Sequence, residues 1–267
     1  MGELMTMLKR YNAVSRMMSV WQRNINGTLH LMCSGRVEEC SAVSSPVVSG
    51  HSLYANFVHA GDLCFDIGAN VGGRADVFLA LGAKVICLEP QPNCVERLKA
   101  KYLDNPDVVV VPKGVASEPG VLELSICDAT TTLATFSDRW KTGRFRDCEW
   151  NSTIQVPVTT LELLIQEYGI PRLCKIDVEG YEYQVIRGLV SPIPYLSFEF
   201  TKEFTDDAKA CVDYLESLGE VTFNYARAES PELALTRWAD AGTVFDRLRR
   251  DSSSWGDIYA RFDVKET

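Results

Sequence analysis

A chain of 267 residues with 46% hydrophobic and 24% charged side chains can bury one sizeable core with a small appendage beside it. Its net charge of −9 argues against a general electrostatic grip on nucleic acid, which needs clustered Lys and Arg facing phosphates, so small molecules or glycans are the expected partners. Nine cysteines without a CxxC pair, several of them in apolar runs (Cys64, Cys87, Cys174), point to reduced thiols and a cytoplasmic setting; neither a membrane-spanning run nor a secretory leader is predicted.

Residues 1–50 hold all six methionines, a slight excess of basic side chains and a Ser/Gly/Val-rich end, and composition changes near Gly50. A boundary is expected there, with 1–50 as a helical N-terminal arm and 51–267 as the catalytic-size domain. Methionine adapts to irregular surfaces, so the arm has four open readings: a lid over a cofactor, a homo-oligomer contact, a dock for a partner, or core packing.

From Leu63 short apolar runs alternate with longer amphipathic ones, the pattern of strand and helix units in a parallel α/β sheet. The predicted order is a strand from 63 (LCFDIG), a helix over 74–81 closed by Gly82, a strand over 84–88, a helix carrying Val95, Leu98 and Tyr102, and a β-branched strand over 108–111. Gly120 then opens a hairpin with arms 121–127 and 154–158, which interrupts the rhythm. It resumes with a T-x-x-E capping box of Thr159 and Glu162 before a helix over 161–168. A strand over 173–178, a helix around Val185, Ile186 and Leu189, a strand over 195–200 and a helix over 206–218 stopped by Gly219 follow. Two closing strands, 221–225 and 257–262, complete the order.

DIGANVGG, residues 66–73, lies between a strand and a helix, where backbone must approach a ligand and glycine removes the side chain in the way. A dinucleotide site would carry G-x-G-x-x-G to seat a pyrophosphate on the helix N-terminus, and here Asn70 stands at the second glycine. That departure counts against a nicotinamide cofactor. An acid ahead of the loop suits a sulfonium amino-acid cofactor, whose ammonium group Asp66 can receive directly or through water. Glu89, 23 residues later and followed by Pro90, stands where α/β cofactor folds place an acid to accept from both ribose hydroxyls. In LCKIDVEGYE, residues 173–182, Lys175, Asp177 and Glu179 alternate at a strand end, so their side chains can share one face at the ligand crevice.

DIGANVG, then the dipeptide Glu89–Pro90, then KIDVEGxE, occur in that order, and with them the chain resembles the FkbM-type S-adenosylmethionine-dependent methyltransferase family. The resemblance covers about 61–200, with 255–260 similar to the family's terminal strand; 1–50 and 227–254 show no family pattern. It implies a Rossmann-like class I methyltransferase fold: a mostly parallel seven-stranded sheet with helices on both faces, to which the N-terminal helical arm and the inserted hairpin are added. It further implies S-adenosyl-L-methionine as donor and O-methylation, commonly of a hydroxyl on a sugar or natural product. By position, Asp66, Gly68, Asn70, Gly72 and Glu89 become cofactor residues, to which Gly114 and Val115 after the third strand are added. Lys175, Asp177 and Glu179 border the reaction centre. Where the family commonly reads TLD, this chain has Thr160, Leu161 and Glu162.

A neutral alcohol is a poor nucleophile, so displacement at a sulfonium needs the acceptor oxygen about 3 to 3.5 Å from the methyl carbon and its proton removed. Asp177 is the favoured base, its pKa raised by partial desolvation beside Glu179; paired with Lys175, it instead stays ionised and positions the acceptor. Two further activations remain open: Mg²⁺ held by Asp177, Glu179, Glu182 and Glu199, and His51 or His59 as a base near the pocket mouth.

Within the polar stretch 128–153, Arg139, Lys141, Arg144 and Arg146 interleave with Trp140, Phe145 and Trp150, a composition able to stack on sugar rings or pair with phosphate, and equally that of a mobile solvated loop. Residues 231–250 carry Leu233, Leu235, Trp238, Val244, Phe245 and Leu248, apolar surface for a small lid over the acceptor or for plain core packing. Two competing readings are a nicotinamide-dependent oxidoreductase, which lacks the third glycine at the right spacing, and a catalytically silent cofactor-binding protein, against which the intact charges of KIDVEG argue.

Overall fold

In a computed structural model the described residues are 53–127, 130–143, 145–150 and 152–263, so the N-terminal arm and His51 lie outside them. In chain order the first elements are β1 (Leu63–Ile67), α1 (Gly73–Ala80), β2 (Lys84–Leu88), α2 (Pro92–Lys101), β3 (Val108–Val111), β4 (Gly114–Val115), β5 (Gly120–Ile126) and α3 (Asp138–Thr142). There follow β6 (Ser152–Thr159), α4 (Leu161–Tyr168), β7 (Leu173–Ile176), α5 (Glu182–Ile186), β8 (Tyr195–Thr201), α6 (Thr205–Leu218), β9 (Val221–Arg227), α7 (Ala241–Arg250) and β10 (Trp255–Phe262).

Seven strands form one sheet in the order β3-β2-β1-β7-β8-β10-β9. All neighbours from β3 to β8 run parallel, and β10 lies antiparallel between β8 and β9. The central strands read as near-continuous apolar runs because both faces are covered. One face carries Phe65, Ile67, Ile86, Leu88, Cys174, Ile176, Leu196 and Phe198 with the apolar sides of α4, α6 and α7. The other carries Cys64, Val85, Cys87 and Leu173, packed by α1, Leu98 of α2 and the segment from Leu53 to Val58. Chain direction across the sheet reverses between β1 and β7, which opens a crevice at their carboxyl ends.

The expected hairpin is present as β5 paired antiparallel with β6, and β4 joins it in a separate three-stranded sheet, β4-β6-β5. Other expectations need correction. The cap of α4 is Thr160, whose hydroxyl accepts from the Leu163 N–H at 3.1 Å, while Glu162 turns away to accept from the N–H groups of Val190 and Ser191. One residue of register separates this from the predicted box, because Thr159 is still held in β6. Helix α5 spans five residues and does not reach Leu189. Helix α7 is no lid: Val244, Phe245 and Leu248 are buried in the core with Phe223 and Tyr225 of β9. Trp238 likewise packs on Phe57 and Tyr195, under the Arg261 guanidinium.

Candidate functional site

Asp66 lies near the carboxyl end of β1, 1% exposed, with an Oδ2 that meets no hydrogen-bond partner among the described residues. Burial pushes its carboxyl up to about 7, against the opposing pull of Lys175 and Arg74. The chain then turns at Gly68, with φ +84° and an N–H donating to the Leu88 carbonyl at 2.9 Å. A Cβ on Gly68 would stand 1.9 Å from the Asp177 carbonyl oxygen, so close passage of the β1 and β7 ends demands glycine. Asn70 takes the left-handed region at φ 48°, which asparagine tolerates, and its N–H donates to Glu89 Oε2 at 2.8 Å. Glu89 Oε1 accepts from the Gln91 N–H, also at 2.8 Å. Each of these carboxylate oxygens keeps lone-pair capacity for another donor. Burial holds Glu89 above the usual carboxylate range.

These groups line one end of a cavity of about 610 Å³, a size suited to a small molecule. Of the residues singled out from the sequence, Asp66, Gly68, Asn70, Glu89, Gly114, Val115, Asp177 and Glu179 line it. Gly72 faces elsewhere: a Cβ there would meet the Tyr102 hydroxyl at 2.4 Å, and its carbonyl accepts from that hydroxyl at 3.0 Å. It caps α1 against α2. Lys175 sits one step beneath the cavity floor, 1% exposed, with Nζ 2.9 Å from Asp257 Oδ1 and 3.4 Å from Asp177 Oδ2. Burial opposes its ammonium, yet Asp177 and Asp257 outweigh that cost and hold its pKa well above the ordinary value.

The alternation expected for Lys175, Asp177 and Glu179 ends early. β7 stops at Ile176, Asp177 still pairs its N–H with the Ile67 carbonyl at 2.9 Å, and Glu179 turns out of the strand at φ 55°. Glu179 therefore reaches the cavity from a turn whose carbonyl accepts from Thr135 Oγ1 at 2.7 Å. Asp177, Glu179, Glu182 and Glu199 do not converge as magnesium ligands: among the described residues no group of three His, Cys, Asp or Glu is arranged to hold a metal ion. His59 is exposed, pairs with Asp62 and precedes β1, so it belongs to the end of the sheet opposite the crevice.

The basic and aromatic stretch also has internal partners. Trp140 is buried against Phe145 and Phe204, Arg139 bonds Asp206 and Asp207 of α6, and Lys141 reaches Ser125 and Asp138. What this region gives the cavity is Thr130 to Thr132, Ala134 and Phe136. Thr131 Oγ1 donates to Asn70 Oδ1 at 3.3 Å, and Gln91 Nε2 donates to the Thr131 carbonyl at 2.7 Å, which ties the insert to the cofactor-side loop.

Sequence reasoning missed Arg74, Glu229 and Trp255 as lining residues, and named Glu199 only as a magnesium ligand. Arg74 Nη2 bonds Glu229 Oε2 at 2.6 Å across 155 positions, a partner no local pattern announces. Arg74 itself was legible as the cation nearest the glycine loop.

A sheet whose one antiparallel strand slots in beside the edge, with its ligand crevice at the point of reversal between two acid-bearing strand ends, is the Rossmann-like architecture of class I S-adenosylmethionine-dependent methyltransferases. The residues fit such a cofactor: Asp66 keeps a buried carboxylate oxygen without a hydrogen-bond partner among the described residues, and Glu89 follows the adjacent strand with acceptor capacity left on both oxygens. The chain belongs to the FkbM methyltransferase family, since the family described as Methyltransferase FkbM domain matches residues 66–222. Among solved structures it is similar to precorrin-6y C5,15-methyltransferase from Geobacter metallireducens at 12% identity, covering 81% of this chain and 87% of that chain with a TM-score of 0.40. Fibrillarin from Aeropyrum pernix with natively bound S-adenosyl-L-methionine is 11% identical, with coverage of 80% and 73% and a TM-score of 0.45. A SAM-dependent O-methyltransferase from Thermotoga maritima is 12% identical, with coverage of 85% and 69% and a TM-score of 0.39. No curated protein sequence matches. Among the described residues no helix is long and apolar enough to cross a membrane.

Proposed function

We propose that this chain transfers the methyl group of S-adenosylmethionine to a hydroxyl oxygen of a sugar or other natural-product small molecule. The observation that carries the choice of oxygen is the polarity of the cavity, which five carboxyl groups line: Asp66, Glu89, Asp177, Glu179 and Glu199. Carboxylates are the natural acceptors of hydroxyl protons and of hydrogen bonds from polyols. S-adenosylmethionine supplies an electrophilic methyl on a positively charged sulfur, which acidic walls favour.

In this reading Asp66 binds the ammonium group, Glu89 the ribose hydroxyls, and Gly68 and Asn70 let the backbone approach. Gly114 and Val115 line the wall beyond Glu89, and Gly72 holds the turn. Lys175 pairs with Asp177 at 3.4 Å and holds it in place, so Asp177 orients the acceptor hydroxyl beside Glu179. Residues 51–267 form the methyltransferase domain and 1–50 an arm suited to a homo-oligomer contact or a lid. The net charge of −9 supports an uncharged acceptor over nucleic acid, and seven described free thiols, six of them buried, support a reducing cytoplasmic setting.

Calorimetric titration of wild type, Asp66→Ala and Glu89→Ala with S-adenosylmethionine and, separately, NADH tests the cofactor half. Saturable S-adenosylmethionine binding weakened by both changes is expected. Folded protein that binds none overturns the reading, and NADH binding turns it toward an oxidoreductase. A screen of sugars with methyl-labelled donor, read by the NMR signature of a methyl ether, tests the oxygen. Binding without turnover across it favours a silent cofactor-binding protein.

A further inference from the structure

Strand register places three carboxyl groups side by side at the rim of the crevice. Lys175 on β7 stands opposite Ser197 on β8, so Asp177 and Glu199 occupy the next row up on the same face, and Glu199 is directly opposite Asp257 on β10. The Lys175 ammonium reaches the outer two of the row, Asp257 and Asp177, and leaves the middle one without an ion pair. Glu199 accepts no hydrogen bond among the described residues. It lines the large cavity together with Asp177 and Trp255, and also a second space of about 20 Å³. Glu182, Asp207 and Cys211 line the smaller space beside Phe200, Phe204 and Ala208, as do Trp140 and Thr201, whose Nε1 and Oγ1 are buried without a hydrogen-bond partner among the described residues.

We propose that Glu199 is a catalytic carboxylate of this enzyme, the group that takes the proton of the acceptor hydroxyl while Asp177, neutralised by Lys175, positions it. The inference rests on the methyl-transfer reading above and adds to it the identity of the base. The groups facing Glu199 are Asp177 at the end of β7, Glu182 on α5, Lys175 on β7 and Asp257 on β10, with Asp207 of α6 across the small space. Three of the four nearest are acids and the single cation is already shared, so a proton on Glu199 relieves repulsion in the resting protein. Burial, then Asp177 and Glu182, hold its carboxyl well above the usual range.

A sulfonium in the same cavity reverses that balance, and Glu199 ionises in time to act as a base. As the acceptor oxygen forms its bond to the methyl carbon, the S–C pair stays on sulfur as a neutral thioether, the O–H bond breaks, and its proton passes to Glu199. The positive charge that lowered the affinity of Glu199 for a proton disappears in the step that delivers one.

The test uses full-length protein carrying ¹³C-carboxyl glutamate, with the Glu199 signal assigned by its loss in Glu199→Gln and, independently, in Glu199→Asp. Its titration midpoint is read free, with saturating S-adenosylmethionine, and with saturating S-adenosylhomocysteine, which has the same shape but no sulfonium charge. The expected result is a midpoint above the ordinary glutamate range in free protein, lowered by about one to two units with the sulfonium and by clearly less with the thioether. Calorimetry is expected to show Glu199→Gln binding S-adenosylmethionine within about threefold of wild type, because the residue serves the acceptor and not the donor. An ordinary midpoint in free protein, or the same midpoint with both ligands, overturns the assignment of Glu199 and leaves the methyltransferase reading intact. Absence of S-adenosylmethionine binding overturns both.

Discussion

The two ends of the cavity are built on different principles. At the cofactor end, the residues from Asp66 to Gly73 and Glu89 lie within 24 positions of one another and are joined by backbone groups: the Asn70 N–H to Glu89, the Gly68 N–H to Leu88. Elsewhere on the cavity wall, Thr131, Phe136, Asp177, Glu199, Glu229 and Trp255 arrive from six separate parts of the chain. The first group is a short stretch of sequence whose backbone geometry tolerates little; the second is brought together only by the fold, as pocket-building loops commonly are.

Substitutions sharpen that contrast. The largest effect is expected at Lys175→Met, which leaves Asp177 and Asp257 facing each other over a buried methionine. The variant should lose about 3–5 kcal/mol at neutral pH by denaturant unfolding. A deficit under about 1 kcal/mol would break the account. Asp66→Asn should act with opposite signs on stability and binding. The folded carboxyl titrates near 7 against an ordinary 3.8, so its stabilising contribution is complete below about pH 4 and lost as pH rises through 7. The uncharged variant should therefore be more stable than wild type above pH 7, by up to ~4 kcal/mol and not at pH 4, while S-adenosylmethionine affinity falls at least about tenfold. Gly68→Ala should cost about 3 kcal/mol by thermal unfolding and abolish cofactor binding, since the added carbon collides with the Asp177 carbonyl and the φ is left-handed. At the small end, Arg139→Ala removes the exposed pairs to Asp206 and Asp207 and should cost under ~1 kcal/mol, less at high salt.

The same contrast explains what the sequence disclosed. Strands such as Leu63–Ile67 and Leu173–Ile176 were legible because burial on both faces leaves an unbroken apolar run, and the glycine loop because its backbone geometry excludes most side chains. That Asp66, Gly68, Asn70 and Glu89 share one cavity was legible because they lie close in sequence. The α4 cap was misplaced by one residue because Thr159 and Thr160 are adjacent and chemically alike, and only the end of β6 decides between them. Arg139 and Trp140 looked like acceptor contacts because a basic and aromatic loop has one composition whether it faces a ligand or its own α6. Glu199 was grouped with Asp177 from the sequence only as a magnesium ligand; that it stands in one row with Asp177 and opposite Asp257 is a matter of strand order, which alternation alone does not encode.

Gly180 and Trp140 carry a last consequence. A carbon added at Gly180 would lie 2.7 Å from the Trp140 ring, so the insert is keyed into the turn that follows Asp177 as a tooth into a slot. Grafting the insert between relatives is then a transplant with a defined unit: the hairpin from Gly120 to Thr159 travels with the aromatic at 140, and the host must offer glycine at 180. A donor loop lacking the tooth would leave the slot open to water beside Glu182; a host lacking the slot would reject the graft on steric grounds before its chemistry was ever tried.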